Sequence, residues 1–315
     1  MRLARVADLL ARVLLVGVGA ATACGLLGPI STIADLANDF RPVLIAASLF
    51  AAVVALVAAP RWVRVACVVT VAVNLALASL TWLPALLLHP AQAGSAELKV
   101  VSFNVWARNT ELWRTRDWLA VSAADVVVLQ EFNDHARREV VAPLTSIYPH
   151  VYDCRCNDIA ILSRHPFAAA GGQPRTAETP AMSWVTLALA GQRSLRLVGV
   201  HTTYPKKPDQ HTQHFTQLFE SPLFDGRNGP VAVIGDFNAT PWSWRFNHFI
   251  RRHGLMRHGS GIAAAAFSAR QRRYDARRRR GVVPHRAGHR VGPPPADGDD
   301  RAALKLDHFE ADDSL

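Results

Sequence analysis

The sequence predicts an α/β domain carried behind three membrane-spanning helices. Two observations support this. The first ninety or so residues hold three long apolar runs with almost no charge, and the chain from 98 to 258 alternates short valine- and isoleucine-rich runs with helical patterns. At 315 residues there is room for one large domain plus an additional part. Half of the residues are hydrophobic, and they concentrate early. The formal charge of +10 arises largely from late arginines, so it does not describe one uniformly basic surface. Four cysteines without a CxxC pair argue against a zinc site, and no internal repeat is visible.

Residues 13–30, 43–59 and 65–88 are the expected spans, each long enough or nearly so to cross a bilayer. Arg2, Arg5 and Arg12 precede the first, and Arg61 and Arg64 separate the second from the third. The loop between the first two carries Asp35 and Asp39 against a lone Arg41. The excess of cations on one side places the N-terminus in the cytoplasm and, after three crossings, everything past residue 88 outside the plasma (inner) membrane. The expected organisation is a membrane anchor over 1–88, a linker over 89–97, an α/β domain over 98–261 and an aberrant tail over 262–315.

Within the domain, residues 98–105 alternate as a strand ending near Asn104. Residues 111–121 read as a helix with Trp113, Trp118 and Leu119 on one face. Residues 125–131 are a buried strand ending in Glu131, which either caps the next helix or binds something. Residues 159–164 and 194–201 are further strands, the second ending in His201. Val231-Ala-Val-Ile-Gly-Asp-Phe-Asn238 is a buried strand that delivers Asp236 and Asn238 to one face and turns Phe237 back into the core. By itself that last segment fits an Asx-type turn equally well. Asn104, Glu131, His201, Asp236 and Asn238 nevertheless arrive in order at successive strand ends, as a site on a rigid scaffold requires. Oxygen and amide donors with few carboxylates suit Mg²⁺, with Mn²⁺ as the alternative.

Ser102-Phe-Asn-Val-Trp106, Leu129-Gln-Glu131, Ala160-Ile-Leu-Ser-Arg164, Gly199-Val-His201 and Gly235-Asp-Phe-Asn238 resemble the successive motifs of the endonuclease/exonuclease/phosphatase superfamily. That group includes DNase I-like nucleases, neutral sphingomyelinases and inositol polyphosphate 5-phosphatases. The resemblance is nearest to bacterial members with N-terminal membrane helices. It implies a four-layer α/β sandwich and metal-dependent hydrolysis of a phosphate ester. Glu131 would be the principal Mg²⁺ ligand, with Asn104 near metal and phosphate. His201 would stabilise the transition state or help the leaving group, Asp236 would orient or deprotonate the attacking water, and Asn238 would hold the phosphate. The substrate classes left open are nucleic acid, a phospholipid head group and a small phosphate ester; the partners expected are the bilayer and that substrate, with no obligate protein partner. A protein that keeps the fold without catalysis is the alternative reading.

The family's closing Ser-Asp-His is missing, and Asp307-His308 is the Asp-His pair nearest the C-terminus, which makes Asp307 a candidate metal ligand and His308 a candidate catalytic residue. Past Gly261, runs of Ala, Arg and Pro replace strand-like alternation, predicting a disordered tail of the kind a shifted reading frame would produce. Cys154 and Cys156 face the oxidising side in this topology, and a bond between them or two free thiols are both open.

Overall fold

A computed structural model describes residues 2–86, 97–226, 229–258, 265–268 and 303–307. The N-terminal helices are α1 (Arg2–Leu26), α2 (Thr32–Asp39), α3 (Arg41–Ala58) and α4 (Arg61–Leu86). Three stretches, Arg2–Leu26, Arg41–Ala58 and Arg61–Thr81, are long and apolar enough to cross a membrane. They pack through small side chains, with Ala11, Ala51, Ala55, Ala59 and Cys67 at the shared seam beside Val63, which lets the backbones approach closely. Helix α1 starts well before the apolar run, and its charged first turns carry an Asp8–Arg12 pair one turn apart at 3.0 Å.

The segment between the first two spans is a helix rather than a loop. Ser31 caps α2, its hydroxyl accepting from the Ala34 amide at 3.2 Å. A buried polar chain ties this helix to the spans. Asn74 donates to Thr22 Oγ1 at 3.1 Å and accepts from Arg41 Nη1 at 2.8 Å. Arg41 also donates to Asn38 Oδ1, and Asn38 Nδ2 donates to the Gly25 carbonyl and to Asp35 Oδ1 at 2.9 and 2.8 Å. Every polar group in this chain has its partner, as burial among apolar helices demands.

The α/β domain has two sheets. The first contains β1 (Glu97–Asn104), β2 (Val126–Gln130), β3 (His150–Tyr152), β4 (Ile159–Ser163) and β11 (Ala303–Asp307), in the order β11-β1-β2-β4-β3. The second contains β5 (Phe167–Gln173), β6 (Ala181–Leu189), β7 (Arg193–His201), β8 (Val231–Asp236), β9 (Leu255–His258) and β10 (Ala265–Ser268), in the order β5-β6-β7-β8-β10-β9. Alternation along the strands builds the layers. Val126 and Val128 face the other sheet, meeting Leu197, Ala232 and Ile234. Val127 and Leu129 face outward onto α5 (Leu112–Val121) and the segment that begins with the short α6 (Asp134–Ala136). On the far side Val198, Val200 and Val233 pack against α7 (Pro208–Glu220) and α8 (Trp244–His253). Helix, sheet, sheet, helix is the four-layer sandwich expected.

Two expectations are corrected. Helix α5 buries Leu112, Thr115 and Leu119 and leaves Trp113 exposed, because Trp113 and Trp118 are five residues apart and fall on different faces. Past Gly261 the chain was expected to be strandless. Instead β10 pairs antiparallel with β8 (Phe267 opposite Ala232) and β11 pairs parallel with β1 (Asp307 opposite Val101). Each provides a partner for a strand flank that would otherwise present unpaired amides. Residues 269–302 and His308 lie outside the described residues.

The anchor is seated directly on this domain. Asp39 Oδ1 accepts from the Thr240 amide and hydroxyl at 3.1 and 2.7 Å. Asp35 accepts from Ser243 Oγ at 2.8 Å and from the Trp244 and Arg245 amides at 2.7 and 3.2 Å, an acid at the start of α8 where orphan amides and the helix dipole favour it. Thr32 and Thr212 share a hydroxyl contact. Beneath this seam His211 is buried, and neither ring nitrogen makes a hydrogen bond of good geometry. Burial, then the Arg245 charge, push its pKa down to about 4 against the opposing pull of the Asn238 backbone and Asp35. The folded protein therefore refuses a proton that the unfolded chain accepts below its ordinary 6.5. Stability should be complete above that pH and fall as pH drops toward 4, by about 3 kcal/mol in all. Thermal unfolding of His211→Leu in detergent between pH 7 and 4.5 should show a flatter dependence than the parent; parallel curves would refute this.

Candidate active site

The C-terminal ends of β1, β2, β7 and β8 reach one edge of the sandwich, and the pairing register places His201 opposite Asp236 and Asn104 opposite Gln130. At β1, Asn104 Nδ2 donates to Glu131 Oε1 at 3.0 Å and to Asp236 Oδ2 at 3.1 Å. One amide nitrogen thus reaches both carboxylates across the two sheets. The Asn104 oxygen accepts from the Trp106 amide at 2.9 Å, and Glu131 Oε2 accepts from the Ala107 amide at 2.9 Å. Glu131 thus faces the candidate site, while Asn133, not Glu131, caps α6. Glu131, Trp106 and Asn238 all have left-handed backbone (φ 52°, 53° and 45°), a conformation that non-glycine residues hold only where the surroundings enforce it.

Asp236 takes part in a turn and still reaches Asn104. The Asn238 amide donates to Asp236 Oδ1 at 2.9 Å, an Asx turn, while Asp236 Oδ2 stays in the site. Asn238 Nδ2 donates to the Thr202 carbonyl at 2.9 Å, tying the ends of β7 and β8 together. Phe237 turns inward against Phe246 and Phe249, with ring centroids at 5.0 and 5.7 Å. His201 is only 3 % exposed. Its Nδ1 lies 3.0 Å from Asp158 Oδ2, and its Nε2 lies 4.0 Å from Asp236 Oδ2.

Asp158 and Arg175 are absent from the residues expected. Burial alone would raise the Asp158 pKa, but the His201 hydrogen bond, with the His201 and Arg175 charges, outweighs it and holds the carboxyl below its ordinary value. Arg175 bonds Asp158 at 3.2 Å and donates to the His201 carbonyl at 3.3 Å. His214, also buried, accepts from the Thr203 amide through Nδ1 at 3.1 Å and sits 3.0 Å from the Thr176 carbonyl through Nε2, joining the loops on either side of His201. Cys154 and Cys156 are bonded, two residues before Asp158, and Gly172 leaves the space that the sulfurs occupy.

Among the described residues no cluster of three or more His, Cys, Asp and Glu could hold a metal. The carboxylates of Glu131 and Asp236 instead fit a hard cation that keeps most of its waters, and Asn104 would add its oxygen with its amide turned over from the orientation that now donates to both. The backbone of Asp307 lies opposite Val101, three residues back along the sheet from Asn104. His308 is outside the described residues.

The family described as the Endonuclease/Exonuclease/phosphatase family matches residues 101–309. Among solved structures, the chain is similar to the endonuclease/exonuclease/phosphatase from Beutenbergia cavernae, at 14 % identity and a TM-score of 0.44 over 54 % of this chain and 64 % of that one. It is also similar to sphingomyelinase C from Streptomyces griseocarneus (14 %, TM-score 0.42, 55 % and 83 %). A third likeness is to a beta toxin mutant from Staphylococcus aureus with bound magnesium ions (13 %, TM-score 0.44, 54 % and 83 %). The chain thus spans less than two thirds of the Beutenbergia protein, and likeness at this level says nothing of substrate. No curated protein matches the chain.

Proposed function

The chain belongs to the endonuclease/exonuclease/phosphatase family, and from that premise we propose that it is a membrane-anchored, Mg²⁺-dependent phosphoesterase. The observation that carries this reading is the single Asn104 amide bridging Glu131 and Asp236 beside His201. Glu131 and Asn104 would hold the ion, which when bound supplies positive charge to a phosphoryl oxygen. Asp236 orients the attacking water and takes its proton. With both ring nitrogens protonated, His201 donates Nδ1–H to Asp158 and turns Nε2–H toward the site, where it donates to a phosphoryl or leaving oxygen. Asn238 holds the β8 loop against β7 and lends its remaining amide hydrogen to the phosphate. Arginines at the N-terminus and between the second and third spans support a cytoplasmic N-terminus and an extracytoplasmic catalytic domain, and the Cys154–Cys156 bond is in keeping with an oxidising compartment.

Purified full-length protein should hydrolyse bis(4-nitrophenyl) phosphate with Mg²⁺ and lose that activity with EDTA. Asp236→Asn should lower kcat by about 10³-fold. Full activity in the Asp236→Asn variant would overturn the assignment. No cleavage at all by folded protein would favour a protein that retains the fold without catalysis.

A further inference from the structure

We propose that the substrate is a phosphate ester anchored in the outer leaflet of the same bilayer, because the edge of the sandwich that carries the site is the edge on which the membrane anchor is seated. This rests on the phosphoesterase reading above. The site lies at the C-terminal ends of β7 and β8, so the helices that follow those strands, α7 and α8, both begin at that edge. The anchor touches the same places: Thr32 meets Thr212 early in α7, and Asp35 receives the first amides of α8. Asp39 holds Thr240, two residues past Asn238 and so within about 7 Å of it along the chain.

Helix α2 is bounded at both ends by spans and therefore lies at the membrane surface. Its Thr32, Ala34, Asp35 and Asn38 are buried. Ile33 and Phe40 point away, 65 % and 60 % exposed, the pattern of a helix lying between a protein and lipid. The mouth of the site is furnished to match. Trp106, just past β1, is 61 % exposed, and Tyr204, just past β7, is 56 % exposed. Tyr204 lines the same cavity as Glu131, Asp158 and His201. Tyrosine and tryptophan favour the head-group level of a bilayer, and Lys206 and Lys207 in the same loop suit anionic head groups. In hydrolysis there, the water oxygen forms the new bond to phosphorus. The bond to the leaving alcohol breaks with its electron pair, and the proton taken from water ends on that alcohol.

The test uses full-length protein in phosphatidylethanolamine/phosphatidylglycerol vesicles and three diesters that release the same nitrophenolate. These are methyl 4-nitrophenyl phosphate in solution, thymidine 5′-(4-nitrophenyl phosphate) in solution, and hexadecyl 4-nitrophenyl phosphate in the vesicle wall. With the hexadecyl ester in the protein's own vesicle, release should exceed that from the methyl ester by about ten-fold or more, through effective concentration. The same ester in separate, protein-free vesicles should fall to the methyl-ester rate or below, since a site facing its own bilayer cannot reach another. Trp106→Ser with Tyr204→Ser should move the hexadecyl-to-methyl ratio toward one. Equal or faster release from separate vesicles would overturn the proposal, as would a preference for the thymidine ester, which would assign nucleic acid instead. Cleavage of none of the three would sink the phosphoesterase reading itself.

Discussion

Glu131→Gln should abolish Mg²⁺-stimulated hydrolysis while leaving the thermal transition nearly unchanged. The side chain accepts twice, from Asn104 Nδ2 and from the Ala107 amide. Gln retains one acceptor oxygen, so one of those donors must then face another donor. The substitution also removes the negative charge that draws a divalent ion, and a hard cation bound by one or two carboxylates depends strongly on each. A loss of about 10³-fold is expected, in the range seen when a single charge-stabilising group is removed from a site. Raising Mg²⁺ should recover part of the activity if the defect is in binding. Rates within two- or three-fold of the parent at low Mg²⁺ would show that Glu131 is not the principal ligand.

Gly235→Ala should destabilise the fold severely. Gly235 has φ +145°, and a Cβ built there lies 2.0 Å from the Val200 carbonyl oxygen and 2.8 Å from the Val200 nitrogen. Val200 is not free to retreat, because β7 is paired with Met182 of β6 on one side and Gly235 of β8 on the other. The strain and the clash together should cost about 4 kcal/mol or more, lowering the melting temperature by roughly 10 °C if any folded protein accumulates. A Gly235→Ala protein that melts near the parent would show that the strand end relaxes freely, and with it the placement of Asp236.

The parts of the site that were legible in the sequence share one property: they end strands. Asn104, Glu131, His201, Asp236 and Asn238 each follow a β-branched or apolar run, so reading forward along the chain finds them. Asp158 was missed because β4 runs antiparallel to β2, so the residue that reaches the site edge is the one just before the strand begins. Asn157 was missed for the same reason; it donates to the Gln173 and Met182 carbonyls at 2.9 and 2.8 Å and holds the end of β5 to the start of β6. Arg175, in the connection between β5 and β6, has no sequence pattern that marks it. The strand β11 did carry a signal, since Leu304 and Leu306 alternate with Lys305 and Asp307, but the surrounding Arg and Pro runs obscured it. The seating of α2 was invisible because Asp35 and Asp39, weighed only as charges between two spans, pair with residues some two hundred positions away.

Those two aspartates also limit how far the protein is modular. A fragment that begins after the third span would keep Glu131, His201 and Asp236, yet it would start α8 without the carboxylate that receives Ser243, Trp244 and Arg245. Thr240 would lose its acceptor too, and with it one fixed point of the loop bearing Asn238. An inactive soluble fragment would therefore report a missing graft surface rather than faulty chemistry. Swapping in a foreign membrane helix would restore attachment without restoring that surface. The unit of inheritance here is the α2 segment and the α/β domain together, and substitutions at Asp35 should be matched by compensating changes at the start of α8.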